Sequence, residues 1–128
     1  MASITKIFTP KGIPPIGPYS QAIKANGFVF LSGQLPAVSS NQKLEMIQGS
    51  VAEKTHVMCQ NARAVLEAAG SSLDKVIKTS IFLVNLDDFG EMNEVYGKYF
   101  TGSPARSTIE TSRLPAGASM EMEVIALE

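Results

Sequence analysis

Residues 119–127 read SMEMEVIAL. In an extended chain successive side chains point to opposite faces. Met120, Met122, Val124 and Ala126 then share one face, and Glu121, Glu123, Ile125 and Leu127 share the other. Two carboxylates thus occupy a face that turns apolar toward the C-terminus. In water at a strand end they are ordinary solvated glutamates. Partly desolvated at a cleft, such a carboxylate resists ionisation and can act as a base or orient a water. The opposite charge stands in residues 101–115, TGSPARSTIETSRLP, which hold two of the chain's three arginines. Pro104 excludes helix and fixes the approach of the chain. Arg106 then aligns with Thr108 and Glu110, while Arg113, an odd seven residues on, points to the other face. A guanidinium on a rigid strand end suits bidentate capture of a carboxylate or phosphate. The competing reading is a solvated arginine paired with a local acid.

Other polar positions are candidates with an equally plain alternative. Asn93 lies four residues after Phe89 and three before Tyr96, near the apolar side of a helical pattern. A buried Asn must be hydrogen-bonded, and locking a neighbouring loop is its common use. Tyr19 follows Gly17-Pro18 at the end of a constrained loop, where its ring can fill a core and its hydroxyl needs a partner. Ser32-Gly33-Gln34 close a strand, and Gly33 permits a ligand to meet a bare backbone N–H. Simpler chemistries fail. His56 and Cys59 are three apart, but one His and one Cys make a poor metal site, and as a nucleophilic pair they lack an orienting third group. Cys59 is expected half-buried and inert. There is no dinucleotide fingerprint, phosphate loop or nucleophile elbow, and the six methionines read as core fill.

The elements that must hold these residues follow from pattern. Residues 4–8 suit an edge strand and 10–18 a Pro/Gly loop. Two apolar stretches around Asn26-Gly27 predict a β-hairpin. Residues 36–49 read as polar loop or short strand. Ser50-x-x-Glu53 forms a capping box that opens a helix whose apolar face is Val51, Met58, Ala62, Val65, Leu66 and Ala69, with Gly70 as its stop. Residues 76–84 are a strand rich in β-branched types. Asp87 or Asp88 caps a second helix with Phe89, Met92, Tyr96 and Tyr99/Phe100 on one face. Strands over 106–113 and 119–127 complete the order β-β-β-α-β-α-β-β. One α+β domain over residues 1–128 is expected: a six-stranded mixed sheet with both helices on one face. If the other face is apolar, oligomerisation is the natural cover.

Bulk properties narrow the classes. The chain has 128 residues, 45% of them hydrophobic and 18% charged, with a net charge of −1. That is one domain with room for a core. A polyanionic nucleic-acid partner needs clustered excess Lys and Arg, which are missing. A single cysteine excludes an internal disulfide, and no N-glycosylation sequon occurs; both fit a reducing, intracellular compartment. The acid-poor N-terminus resembles a transit peptide in composition. However, it has no Arg before Arg63, and Pro10, Pro14, Pro15 and Pro18 break any amphipathic helix. It is read as part of the mature fold.

The segments IGPYSQAI, FLSGQLP, VIKTSIFLVNLDDF, MNEVYGKYF, PARSTIE and MEMEVIA occur in the order and spacing of the Rid family. They most resemble its RidA branch of reactive imine and enamine deaminases, from about residue 7 to the C-terminus. The resemblance implies a chorismate-mutase-like fold, a homotrimer and three sites in clefts between subunits. It implies hydrolysis of 2-iminobutanoate and 2-iminopropanoate, in exchange with their enamine tautomers, to a 2-oxo acid and ammonia. These imines arise when pyridoxal-phosphate dehydratases release product from threonine or serine. No metal or organic cofactor is implied. By position, Arg106 resembles the carboxylate-binding arginine and Glu121 the residue that positions the attacking water. Tyr19, Ser32 and Asn93 match cleft-lining positions, while Gly33 and Thr108 offer backbone groups. Some relatives carry Cys in place of Thr108, so no thiol role is possible at this position. Cytoplasm is the expected compartment, with the mitochondrial matrix as the alternative. Two other functions compete. One is an RNA-cleaving translation inhibitor, which the charge, the single His and the lack of an aromatic stacking platform oppose. The other is a non-catalytic small-carboxylate binder or chaperone-like protein, which Arg106 opposes.

Overall fold

A computed structural model describes residues 3–128. The strands are β1 (Ile4–Ile7), β2 (Ala22–Ala25), β3 (Phe28–Gln34), β4 (Ala37–Ser40), β5 (Lys43–Met46), β6 (Val76–Leu83), β7 (Ala105–Glu110) and β8 (Met120–Leu127). The helices are α1 (Val51–Ala68) and α2 (Phe89–Tyr99). Six strands form one sheet in the order β1-β2-β3-β8-β6-β7. Only β6 and β7 run parallel, as a strand–helix–strand crossover through α2 requires. Among the described residues no helix is long and apolar enough to cross a membrane.

Local chemistry sets the framework. Asn26 and Gly27 both have positive φ, the geometry that a two-residue hairpin turn needs to match strand twist. At the start of α1, the Ser50 hydroxyl accepts from the Glu53 N–H at 3.1 Å, and the Glu53 carboxylate accepts from the Ser50 N–H at 3.2 Å. Met58, Cys59, Ala62, Val65 and Leu66 from α1 pack against Val29, Leu31, Ile81, Met120, Met122, Val124 and Ala126 of the sheet. The alternation expected along β8 holds, with Met120, Met122, Val124 and Ala126 all buried. Cys59 is fully buried rather than half-buried, and burial pushes its thiol up to about 12.

Two expectations need correction, and a third needs detail. Residues 36–49 contain a second small sheet, β4–β5, which turns at Asn41 and Gln42, both at positive φ. Without a glycine in the turn, the hairpin signal is weak. Tertiary bonds hold it instead: the buried Asn61 amide donates to the Leu35 and Ala37 carbonyls at 2.9 and 2.7 Å. Next, β7 stops at Glu110, because its only partner β6 ends at Leu83. Arg113 therefore lies outside the strand, and strand parity says nothing about its direction. Finally, Asp88 holds the N-cap position of α2, one of the two expected, but its side chain makes no cap hydrogen bond; the side-chain bond comes a turn earlier, from Asn85. The Asn85 side chain accepts from the Asp87 N–H at 2.9 Å and starts a 3₁₀ turn that runs into the helix.

Both helices lie on one face. The other presents Ile23, Phe28, Phe30, Phe82, Ile109, Ile125 and Leu127, with Glu121 and Glu123 among them. Phe30, Ile109 and Leu127 are exposed there.

Candidate functional site

Arg106 stands on β7 opposite Thr79 of β6, on the helix side of the sheet. Its guanidinium carbon lies 4.8 Å from the Tyr96 ring centroid and 5.4 Å from that of Phe89. Tyr96 is buried and stacks on Phe100 with centroids 4.4 Å apart. Its hydroxyl is 2.7 Å from the fully buried Thr79 hydroxyl. Burial raises the Tyr96 phenol above its ordinary range, opposed by the Thr79 hydrogen bond and the Arg106 charge. No acid among the described residues pairs with Arg106. Glu110, the acid that shares its strand face, instead accepts from the Leu86 N–H at 3.0 Å. The local-acid alternative for Arg106 is therefore not realised within the chain.

Two further polar atoms belong to this neighbourhood. Asn93 follows Phe89 by one helical turn on α2, and Thr108 shares the strand face of Arg106. The Asn93 side-chain oxygen and the Thr108 hydroxyl are both buried with no hydrogen-bond partner. Buried polar atoms of this kind carry a real energetic cost unless something outside the chain meets them. Arg106 thus lies against the helix that carries the orphaned Asn93 oxygen, with the orphaned Thr108 hydroxyl two residues along its own strand.

Glu121 occupies the other side of the sheet, opposite Phe82 of β6. Its carboxylate lies over Gly33, at the register shift where β3 leaves regular pairing with β8. A Cβ on residue 33 would collide with the carboxylate oxygen and sit 2.7 Å from its carbon. Glycine at this position is thus a steric requirement of the acid. Burial raises the Glu121 carboxyl above its usual range, and the neighbouring Glu123 charge adds to the effect. No donor among the described residues bonds it.

The cleft around this acid encloses about 290 Å³ and is lined by Ile16, Tyr19, Ser32, Gly33, Leu35, Pro115 and Glu121. Gln21 fixes the proline loop that supplies one wall: its side chain bonds the Thr9 N–H at 2.7 Å and the Thr9 and Ile13 carbonyls at 3.1 and 2.9 Å. Tyr19 is half exposed, and its hydroxyl accepts from the Ile16 N–H at 3.1 Å. The Ser32 hydroxyl donates to the Ser20 carbonyl at 2.6 Å, while Gln34 braces the bulge by donating to the Ser32 carbonyl at 2.9 Å.

The candidate residues therefore separate into two groups. Tyr19, Ser32, Gly33 and Glu121 come together at the cleft. Arg106, Asn93 and Thr108 come together against α2. One chain does not bring Arg106 and Glu121 together, because they leave opposite faces of the sheet. Ile16, Gln21, Leu35, Phe89, Tyr96 and Pro115 are contributors that pattern reading did not assign to a site. The Phe89/Tyr96 spacing around Asn93 was the available signal, and it was absorbed into the apolar face of the helix.

The sheet carries helices on one side only, with the Arg106 fork on that side and the desolvated Glu121 carboxylate on the other. The chain belongs to the Rid family: the family model described as endoribonuclease L-PSP matches residues 9–128. Reactive Intermediate Deaminase A, chloroplastic, from Arabidopsis thaliana is 44% identical over 121 residues, covering 94% of this chain and 64% of that protein. The crystal structure of yeast Mmf1 superposes with a TM-score of 0.93 at 40% identity, covering 98% of this chain and 99% of that one. E. coli TdcF with bound serine gives a TM-score of 0.87 at 34% identity, covering 97% of this chain and 98% of that one.

Proposed function

We propose that this protein is a cofactor-independent deaminase of the RidA branch that hydrolyses 2-iminobutanoate, 2-iminopropanoate and their enamine tautomers. Its site forms where Arg106, Asn93 and Thr108 of one subunit meet Tyr19, Ser32, Gly33 and Glu121 of the next, in a homotrimer. The observation behind this reading is that Arg106 has no acid partner on one side of the sheet and Glu121 no donor on the other, and that one chain keeps the two apart. The deaminase named among its relatives and the serine bound by TdcF support a small amino-acid-like ligand.

The chemistry follows from the groups. The Arg106 fork takes the substrate carboxylate through two parallel N–H bonds. The free Asn93 oxygen accepts an N–H, which an imino acid offers and a simple carboxylate does not. Glu121, ionised but poorly solvated, removes a proton from a water as its oxygen bonds to the imine carbon. The C=N π electrons move to nitrogen, which takes that proton from Glu121. The carbinolamine then collapses: its hydroxyl gives up a proton, which passes through Glu121 to nitrogen, as the C=O bond forms and the C–N bond breaks, giving the 2-oxo acid and ammonia with Glu121 ionised again. Uncatalysed imine hydrolysis is already quick, so positioning and preorganised electrostatics are sufficient.

A ribonuclease reading has the family description in its favour. It needs a general acid–base pair, and the one histidine does not line the cleft: His56 Nδ1 is 3.0 Å from the Tyr99 hydroxyl, between α1 and α2. The test supplies a threonine dehydratase with threonine and traps released imine with semicarbazide. Wild type is expected to suppress the trapped adduct, while Arg106→Ala, still oligomeric, does not. A wild type that leaves imine decay unchanged overturns the proposal, and RNA cleavage that persists in Arg106→Ala favours the ribonuclease.

A further inference from the structure

We infer that Phe89 and Tyr96 are positioning residues for Arg106, and that Thr79 fixes Tyr96 in turn. This rests on the carboxylate role proposed for Arg106 and goes further by naming what aims it. A long arginine side chain has many rotamers, and a fork is useful only if its plane and edges are fixed before the ligand arrives. An acidic partner would fix it but would consume the same N–H groups that must bind the ligand. Aromatic rings avoid that conflict. They attract the guanidinium through its face and leave its edge donors free.

The geometry meets each requirement. Both ring centroids lie within 5.4 Å of the guanidinium carbon. Glu110, the nearest acid in the strand, is diverted to the Leu86 N–H. Tyr96 is held at its hydroxyl by the Thr79 hydroxyl at 2.7 Å and on its ring face by the stacked Phe100. Thr79 is itself paired with Arg106 across β6 and β7, so the strand that carries the fork also carries its brace through one ladder step. Phe89 leaves 39% of its surface exposed at the first residue of α2. An aromatic ring so placed contributes little to the core, and its cover over Arg106 gives it a function.

The test compares Phe89→Leu and Phe89→Trp with wild type as intact oligomers. Phe89 is largely outside the core, so both variants are expected to fold, checked by thermal unfolding and mass. Phe89→Leu is expected to weaken 2-oxobutanoate binding by calorimetry, and to raise KM for the imine, by about three- to fivefold with kcat near wild type. Phe89→Trp restores both. In the ligand-free protein, the Arg106 Nε–H resonance is expected to be shifted upfield by the rings and to move back in Phe89→Leu. Unchanged affinity, KM and resonance in a folded Phe89→Leu protein overturn the inference, as does a loss confined to kcat. A wild type that binds no 2-oxo acid, but whose Arg106 resonance responds to Phe89→Leu, removes the deaminase reading and leaves the clamp standing.

Discussion

If the site is shared between subunits, two dead variants can repair each other. In the proposed substrate complex, Arg106→Ala removes the cation that meets the substrate carboxylate, a loss of about 2–5 kcal/mol for a desolvated, hydrogen-bonded charge pair, or roughly 30-fold at the lower bound. Glu121→Gln removes the proton acceptor, a loss of roughly 100-fold or more. Each homotrimer is then nearly inactive. In a mixed trimer the Arg106 half of a site comes from one subunit and the Glu121 half from its neighbour around the ring. Whether the mixture holds two of one variant or two of the other, one junction joins an intact Arg106 to an intact Glu121. Purified mixed trimers should therefore recover about one third of wild-type activity. The two variants are co-expressed with different tags, purified through both, checked by mass, and assayed by semicarbazide trapping. A single-chain site predicts no recovery, since every chain carries one lesion. No recovery in verified mixed trimers refutes the split-site reasoning, and recovery near one half points to a dimer.

Gly33→Ala sets a Cβ against the Glu121 carboxylate. Rotation of that flexible side chain relieves the clash, so the melting temperature should shift by only a few degrees while kcat falls at least tenfold; unchanged kcat would separate the acid's position from the reaction. Glu121 also predicts a pH dependence. Its folded carboxyl is raised by burial and then by Glu123, so the native state holds its proton more tightly than the unfolded chain. That contribution is fully present below the ordinary carboxylate range and is lost as pH rises through the raised value. Glu121→Gln should therefore match wild-type stability at low pH and exceed it at neutral pH, measured by denaturant midpoints. Activity has the opposite slope, because the charged form is the base.

The framework was legible because its signals are local. Asn26-Gly27, the Ser50/Glu53 box and the alternation of Met120 to Ala126 each depend on a few neighbouring residues, and each appears as expected. The β4–β5 hairpin was not legible. Its turn lacks glycine, and its anchor is Asn61, far along the chain on α1. The end of β7 is set by the length of β6, which the sequence of β7 does not contain. Arg106 and Glu121 stood out by residue type, but their placement on opposite faces follows only from the strand order. Strand parity applies within one strand, and no single-strand pattern relates β7 to β8 through β6.

In the proposed trimer, the same topology makes the apolar face and the site parts of one design. The crossover β6–α2–β7 puts Arg106 on an edge strand, on the covered side. Glu121 lies on the uncovered side, among Phe82, Ile109 and Ile125. To meet Glu121 of a second chain, the β7–α2 edge of one subunit must approach the open face of another. An edge-to-face contact joins unlike surfaces, so each subunit still presents one of each, and closure gives a ring. Covering the open face adds apolar burial, which favours assembly; it also withdraws water from Glu121, which raises its carboxyl, and brings up the Arg106 charge, which lowers it. The contact that stabilises the ring is then the one that tunes the base. It follows that assembly and the ionisation of Glu121 are linked, and that Glu121→Gln should change the dissociation of the oligomer at neutral pH. Dilution followed by mass photometry measures this, and equal dissociation of variant and wild type would break the link between assembly and the acid.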